Sequence, residues 1–139
     1  MAKVIRVVGA VIFNPKSDSY FVGQRGKNKK VPLKWEFIGG KVETGEDLLR
    51  AIQREFKEEV GINIKALRSI NKSQFNYGGE VGLIEVNFIE CELFKDEPNF
   101  DPEVYEICKW VKRGELANLD WVEADREFAL NLAKNEVKY

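Results

Sequence analysis

Three glutamates, Glu55, Glu58 and Glu59, crowd into five consecutive positions. On a helix, at about 100° per residue, Glu55 and Glu59 lie about 40° apart and one turn from each other. Glu58 sits a step further round the same flank. Like charges at that spacing destabilise a helix by roughly 0.2–0.5 kcal/mol per pair. Arg50, Arg54 and Lys57 give partial relief. A divalent cation gives more, because it turns repulsion into coordination. The chain has no histidine, and its two cysteines, Cys91 and Cys108, stand singly in apolar runs and read as buried free thiols. The metal donors are therefore oxygens, which suit Mg2+ or Mn2+. Gly39-Gly40 precedes the acidic segment. A glycine pair lets backbone turn tightly and approach a ligand closely. Without further context, the glutamates would read as a solvated acidic face trimmed with arginines.

The elements around these residues can be read from periodicity. Leu48, Leu49, Ile52, Phe56 and Val60 recur at helical spacing. That predicts a helix from Thr44, as N-cap, to Val60, with Glu46 and Asp47 in its first turn and Gly61 as its stop. Val4 to Phe13 and Tyr20 to Gln24 read as a hairpin of strands, joined by a turn at residues 14–18. Residues 26–32 read as a polar, basic loop. Trp35 to Ile38 reads as a short strand ending at Gly39-Gly40. Ala66 to Tyr77 and Glu80 to Leu93 read as long strands joined by a tight turn at Gly78-Gly79. Val104 to Val111 reads as a strand, Arg113 to Leu119 as a short helix, and Asp125 to Glu136 as a terminal helix with an apolar stripe of Phe128, Leu130, Leu132 and Ala133. Strands interleaved with helices in one short chain predict an α/β/α sandwich, a mixed sheet flanked by helices on both faces.

Bulk properties narrow the classes. A length of 139 residues suits one domain, 1–139, with one core. Hydrophobic residues at 44% and charged residues at 32% are the balance of an ordinary globular protein. No run approaches the ~20 apolar residues of a membrane span. The N-terminus enters a strand-like segment with no signal-peptide pattern, so a cytoplasmic location is expected. The net charge of −1 offers no global field for a nucleic acid polymer. The basic cluster Arg25, Lys27, Lys29 and Lys30 is local, either a solvated loop or an attractor for a small polyanion.

One string ties the chemistry together: Gly40, five residues, Glu46, seven residues, then Arg54-Glu55-Phe56-Lys57-Glu58-Glu59-Val60-Gly61-Ile62. It resembles the Nudix box. The lead-in Lys34 to Glu43 and the segment Leu119 to Asp125 resemble the MutT-like branch of that family. Ile38 departs from a frequent proline, and Phe56 is larger than the usual aliphatic residue.

The resemblance implies Mg2+-dependent hydrolysis of a nucleoside diphosphate linked to a further group. The first expectation is a nucleoside triphosphate, oxidised or otherwise modified in some members, cut to nucleoside monophosphate and pyrophosphate. Alternatives are a dinucleoside polyphosphate, ADP-ribose or another nucleotide sugar, or a nucleotide-sensing module without turnover. The resemblance also implies metal ligands: Glu55, Glu58, Glu59 and the Gly39 carbonyl, with a further acidic residue at Glu103 or, second, Glu106. Glu55 is the first choice as general base and Glu58 the second. Arg54 would orient a box glutamate. Arg25, Phe75, Tyr77 and Asp125 would contact the nucleobase, although Asp125 also reads as a helix N-cap and the two aromatics as core. The small-molecule substrate is the expected partner, and the chain is expected to be a monomer or a homodimer.

Overall fold

The computed structural model describes residues 4–94 and 105–134. Its strands are β1 (Val4–Asn14), β2 (Ser19–Arg25), β3 (Trp35–Glu36), β4 (Gly39–Lys41), β5 (Ile64–Asn76), β6 (Leu83–Leu93) and β7 (Tyr105–Lys112). Its helices are α1 (Leu48–Val60) and α2 (Glu123–Ala133), with a 3₁₀ segment at Arg113–Asn118.

The valine-rich β1 organises the molecule. Side chains alternate across a strand, so its two faces feed different layers. Val8, Ala10 and Ile12 pack with Ala51, Ile52, Phe56 and Val60 of α1. Val11, with Val7 and Phe13 beside it, packs with Ala124, Phe128, Ala129 and Leu132 of α2. The two helices therefore cover opposite faces, and the α/β/α sandwich expected from the sequence is present. The sheet is mixed. β1 runs parallel to β6, from Val4↔Leu83 to Ile12↔Cys91, while β5 is antiparallel to β6. Strand order is β3-β2-β1-β6-β5, with β4 also on β1 and β7 also on β2. Among the described residues no helix is long and apolar enough to cross a membrane.

Along one edge β1 changes partner. It pairs β2 at Phe13 and Asn14, then pairs β4 at Val7, Val8 and Gly9. The expected strand over Trp35 to Ile38 is observed only at Trp35–Glu36, and a separate strand begins at Gly39. The glycine pair is itself a strand on β1 rather than a plain turn, which brings Gly39 and Gly40 beside the sheet centre.

The start of α1 differs from expectation. Asp47, not Thr44, is the N-cap, and its carboxylate accepts the Arg50 N–H at 2.9 Å. Gly45 has φ +81°, a left-handed conformation that stops the helix from extending back to Thr44. Glu46 and Asp47 therefore precede the first turn, which contains no acidic residue. Gly61 ends α1 at φ 84°, as its position predicts. The β5–β6 connection is also wider than a Gly78-Gly79 hairpin turn. It spans residues 77–82, where Tyr77 N–H donates to the Gly82 carbonyl at 2.9 Å and Gly82 N–H to that of Gly78 at 3.0 Å. α2 begins two residues before Asp125, after Val122, so Asp125 lies inside the first turn and is not the cap. The expected short helix from Arg113 is present, as a 3₁₀ segment that ends at Asn118. Glu136, the expected end of the last helix, lies outside the described residues, and α2 stops at Ala133.

Candidate functional site

The glycine pair is explained by what surrounds it. A Cβ on Gly39 would fall on the Val8 carbonyl, far inside van der Waals contact, so any side chain there would break the β1–β4 pairing. A Cβ on Gly40 would fall on the Glu55 carboxylate. Gly40 therefore makes room for Glu55, which is almost buried at 9% exposure. Gly40→Ala is expected to displace that carboxylate and lower kcat by roughly 100-fold, the scale of an ångström's misplacement of a reacting group. Steady-state kinetics beside a thermal melt would check this: a rate within threefold of wild type would contradict it.

Arg54 binds the loop to the helix. Its Nε and Nη2 grip both oxygens of Glu46, at 2.7 and 2.8 Å. Nη2 also donates to the Lys41 carbonyl at 2.9 Å. Nη1 reaches Glu55 Oε1 at 2.8 Å and Glu58 Oε2 at 3.2 Å. Planar fork geometry makes such contacts bidentate and directional. The Arg54 hydrogen bonds and the Glu43 N–H pull the Glu46 carboxyl down to about 2. Burial pushes the Glu55 carboxyl up against the opposing pull of Arg54. Glu46 thus shapes the loop, and Arg54 orients Glu55.

Glu55, Glu59, Gly39 and Gly40 line one cavity of about 430 Å³. Glu58 does not line it, and its side chain is 58% exposed. Among the described residues, no three acidic groups are gathered at metal-holding distance. The donor chemistry nevertheless fits a hard cation. Two carboxylates and the glycine backbone line one cavity with oxygens, and the missing Cβ of Gly40 is what lets the Glu55 carboxylate sit there. Glu103 lies outside the described residues, and of Glu106 only its place in β7 is described.

The same cavity continues to a second group: Arg25, Glu36, Phe37, Tyr77, Ala124 and Asp125. Arg25 is present as expected, but its Nη1 is committed to both oxygens of Glu36 at 3.2 Å, and its Nε to the Lys30 carbonyl at 2.8 Å. Glu36 was assigned no role from the sequence. Its signal there was a charged residue between Trp35 and Phe37 in a short strand, where both neighbours are core-type. β2–β3 pairing, Gly23↔Glu36, brings it beside Arg25. Asp125 is buried at 3% exposure and accepts the Phe37 N–H at 2.9 Å through Oδ2. Burial, reinforced by Glu36, pushes its carboxyl well above the usual range. Tyr77 lines the cavity, whereas Phe75 does not: its ring meets Tyr77 edge-on at 4.8 Å and supports it from outside. Lys29, Lys30 and Lys41 add positive charge to the lining. The loop carrying the first two holds Val31 and Leu33 at φ 52° and 62°, conformations that β-branched and bulky residues rarely adopt.

The raised Asp125 carboxyl has a pH consequence. Its folded pKa exceeds the unfolded value of about 3.9. Between those values the folded state binds more protons, so stability falls as pH rises through that window. Asparagine keeps an acceptor for Phe37 N–H and carries no charge. Asp125→Asn is expected to raise neutral-pH stability by about 1–3 kcal/mol, the cost of a poorly compensated buried group. Its advantage should shrink as the pH falls towards 4. Urea unfolding at several pH values checks this, and a pH-independent difference would contradict it.

Comparisons with known proteins show the family and the fold of the chain. The NUDIX domain family matches residues 3–132. The chain is 29% identical over 137 residues to the putative 8-oxo-dGTP diphosphatase 2 of Mycobacterium tuberculosis, covering 96% of this chain and 91% of that protein. It is 32% identical over 113 residues to the 8-oxo-dGTP diphosphatase of Buchnera aphidicola from Acyrthosiphon pisum, covering 81% and 86%. A match to the oxidized purine nucleoside triphosphate hydrolase of Danio rerio, at 37% over 65 residues, spans 47% of this chain and only 42% of that protein. Among solved structures, MutT from methicillin-resistant Staphylococcus aureus superposes with TM-score 0.73 at 30% identity, covering 97% of this chain and 99% of that one. The MutT Nudix hydrolase of Burkholderia pseudomallei superposes with TM-score 0.79 at 22% identity, covering 94% and 98%, and shares the fold. With the family match running through nearly every described element, this chain belongs to the Nudix family.

Proposed function

We propose that this Nudix pyrophosphohydrolase cuts a nucleoside triphosphate to nucleoside monophosphate and pyrophosphate, using Mg2+ or Mn2+ held by Glu55, Glu59 and the Gly39 carbonyl, with Glu58 beside them. The observation that carries the reading is one cavity shared by two chemically different groups. Gly39, Gly40, Glu55 and Glu59 would hold a hard cation, which would neutralise phosphate charge there. Arg25, Glu36, Tyr77 and Asp125 suit a flat, hydrogen-bonding base. Lys29, Lys30 and Lys41 favour a polyanion between them. The names of the relatives support the same substrate class, since they include 8-oxo-dGTP diphosphatases and a CTP pyrophosphohydrolase of Escherichia coli.

When bound, the cation would neutralise the phosphate charge that otherwise repels an incoming nucleophile. Glu55 takes the proton of the attacking water. It lines the cavity, is oriented by Arg54, and is desolvated enough to hold a proton more readily than an exposed carboxylate. Glu58 is less suited to that role, because it does not line the cavity and its side chain is exposed. Arg25 and Asp125 hold the base: Arg25 is fixed by Glu36, and Asp125 has one oxygen on Phe37 N–H and the other available to a base edge.

The test is product identity. The protein is incubated with Mg2+ and a panel of normal and oxidised triphosphates, dinucleoside polyphosphates and ADP-ribose, and products are identified by mass. Monophosphate plus pyrophosphate from a triphosphate is the expected result. Turnover of only dinucleotides or nucleotide sugars, or no turnover at all, would overturn the substrate assignment.

A further inference from the structure

The first turn of α2 lacks a side-chain cap, because its N-cap residue is Val122. The N–H groups of a first turn still need partners. One of them, Ala124 N–H, donates to the Tyr77 hydroxyl at 2.9 Å. The carbonyl of the same residue accepts from the Ser73 hydroxyl at 2.6 Å. Both faces of one buried residue's backbone are therefore held by Ser73 of β5 and by Tyr77, the residue that follows β5, across about fifty positions of sequence. The next residue is Asp125, which is fixed from its other side by the Phe37 N–H.

The placement depends on the irregularity of β5. Its register against β6 shifts between Ala66 and Arg68 and again between Ser69 and Asn71. Before the shifts, Ile64 and Ala66 join the α1 layer; Ile70, within the second shift, and Tyr77, beyond it, join the α2 layer. Bulges re-aim side chains in this way. Ser73, Phe75 and Tyr77 then share a face by strand alternation, with Phe75 bracing the Tyr77 ring.

We propose that Ser73 and the Tyr77 hydroxyl are positioning residues for base recognition, clamping the backbone at Ala124 so that Asp125 is held in place to read the base. The inference rests on the nucleotide reading of the cavity given above. Ser73 is the cleaner probe, since it does not line the cavity. Neither hydroxyl contacts Glu55, so the clamp should act on binding of the base and not on attack at phosphorus.

The experiment compares Ser73→Ala, Tyr77→Phe and Ser73→Thr with wild type by three readouts. These are hydrogen exchange of the Phe37 amide by NMR, KM and kcat for dGTP and CTP, and Ki for inorganic tripolyphosphate, which has no base. The expected result is about tenfold faster Phe37 exchange and about a fivefold rise in KM for the preferred nucleotide in Ser73→Ala and Tyr77→Phe, the scale of one lost hydrogen bond. The tripolyphosphate Ki should stay constant, kcat of Ser73→Ala should stay within twofold, and Ser73→Thr should restore wild-type behaviour. An unchanged Phe37 amide in both variants would overturn the clamp. Faster exchange with unchanged KM would overturn the proposal through the base-pocket reading instead. Parallel rises in KM and in the tripolyphosphate Ki would overturn it as general loosening of the cavity.

Discussion

Glu55→Gln is expected to lower kcat by about 10²–10⁴-fold, the usual worth of a positioned general base, while leaving the fold intact. Glutamine has nearly the same shape, so it fits the space that Gly40 leaves. Its carbonyl oxygen can still accept from Arg54 Nη1, which reaches Glu55 Oε1 at 2.8 Å. What disappears is the negative charge and the capacity to take a proton. Burial already opposes that charge, so its removal should not destabilise the protein. The variant should unfold at the wild-type denaturant concentration or slightly above. A large loss of activity with an intact unfolding curve places Glu55 in the chemistry. Activity within tenfold of wild type would move the base elsewhere, with Glu58 the first alternative.

Arg54→Lys tests the positioning of that carboxylate. Lysine keeps the charge but loses the fork that joins Glu46, the Lys41 carbonyl, Glu55 and Glu58. A point charge cannot hold all four at once. The expected result is a fall in kcat of roughly 100-fold, from misorientation of Glu55. Loss of the grip on Glu46 should also cost about 1.5–3 kcal/mol of stability, the worth of a hydrogen bond to a charged group. Kinetics and urea unfolding on the same sample separate the two effects. A variant with normal kcat and reduced stability would make Arg54 a loop tie only.

Much of the site is local in sequence and was legible there. Gly39 to Gly61 is one contiguous stretch, and helical spacing places Glu55, Glu58 and Glu59 on one flank, but only Glu55 and Glu59 of the three line the cavity. The end of α1 at Gly61 was equally local. Its start was not, because Thr44 and Asp47 both have capping side chains. Gly45 at positive φ and the capture of Glu46 by Arg54 decide between them, and neither follows from composition. Glu36 was missed because its role arises only when β2 and β3 pair and bring it to Arg25. Asp125 was identified as a base-reading candidate with an N-cap as its alternative. The structure removes the N-cap alternative by starting α2 after Val122. Tyr77 was expected to contribute its ring, but its hydroxyl is spent on Ala124, a contact between distant segments that no short-range pattern contains. The widened Tyr77 to Gly82 turn has the same origin: glycine spacing marks a turn without fixing its length.

The Glu55 flank of α1 is proposed to hold a hard cation for phosphoanhydride hydrolysis. Mn2+ titration followed by water-proton relaxation tests it most directly, with wild type and the Glu55→Gln/Glu59→Gln double variant compared in the presence and absence of a non-hydrolysable triphosphate. Wild type should show Mn2+ bound to the protein, tightened by nucleotide, and the double variant should lose that binding at least tenfold. Equal Mn2+ affinity in the two proteins, with nucleotide and without, would contradict the account.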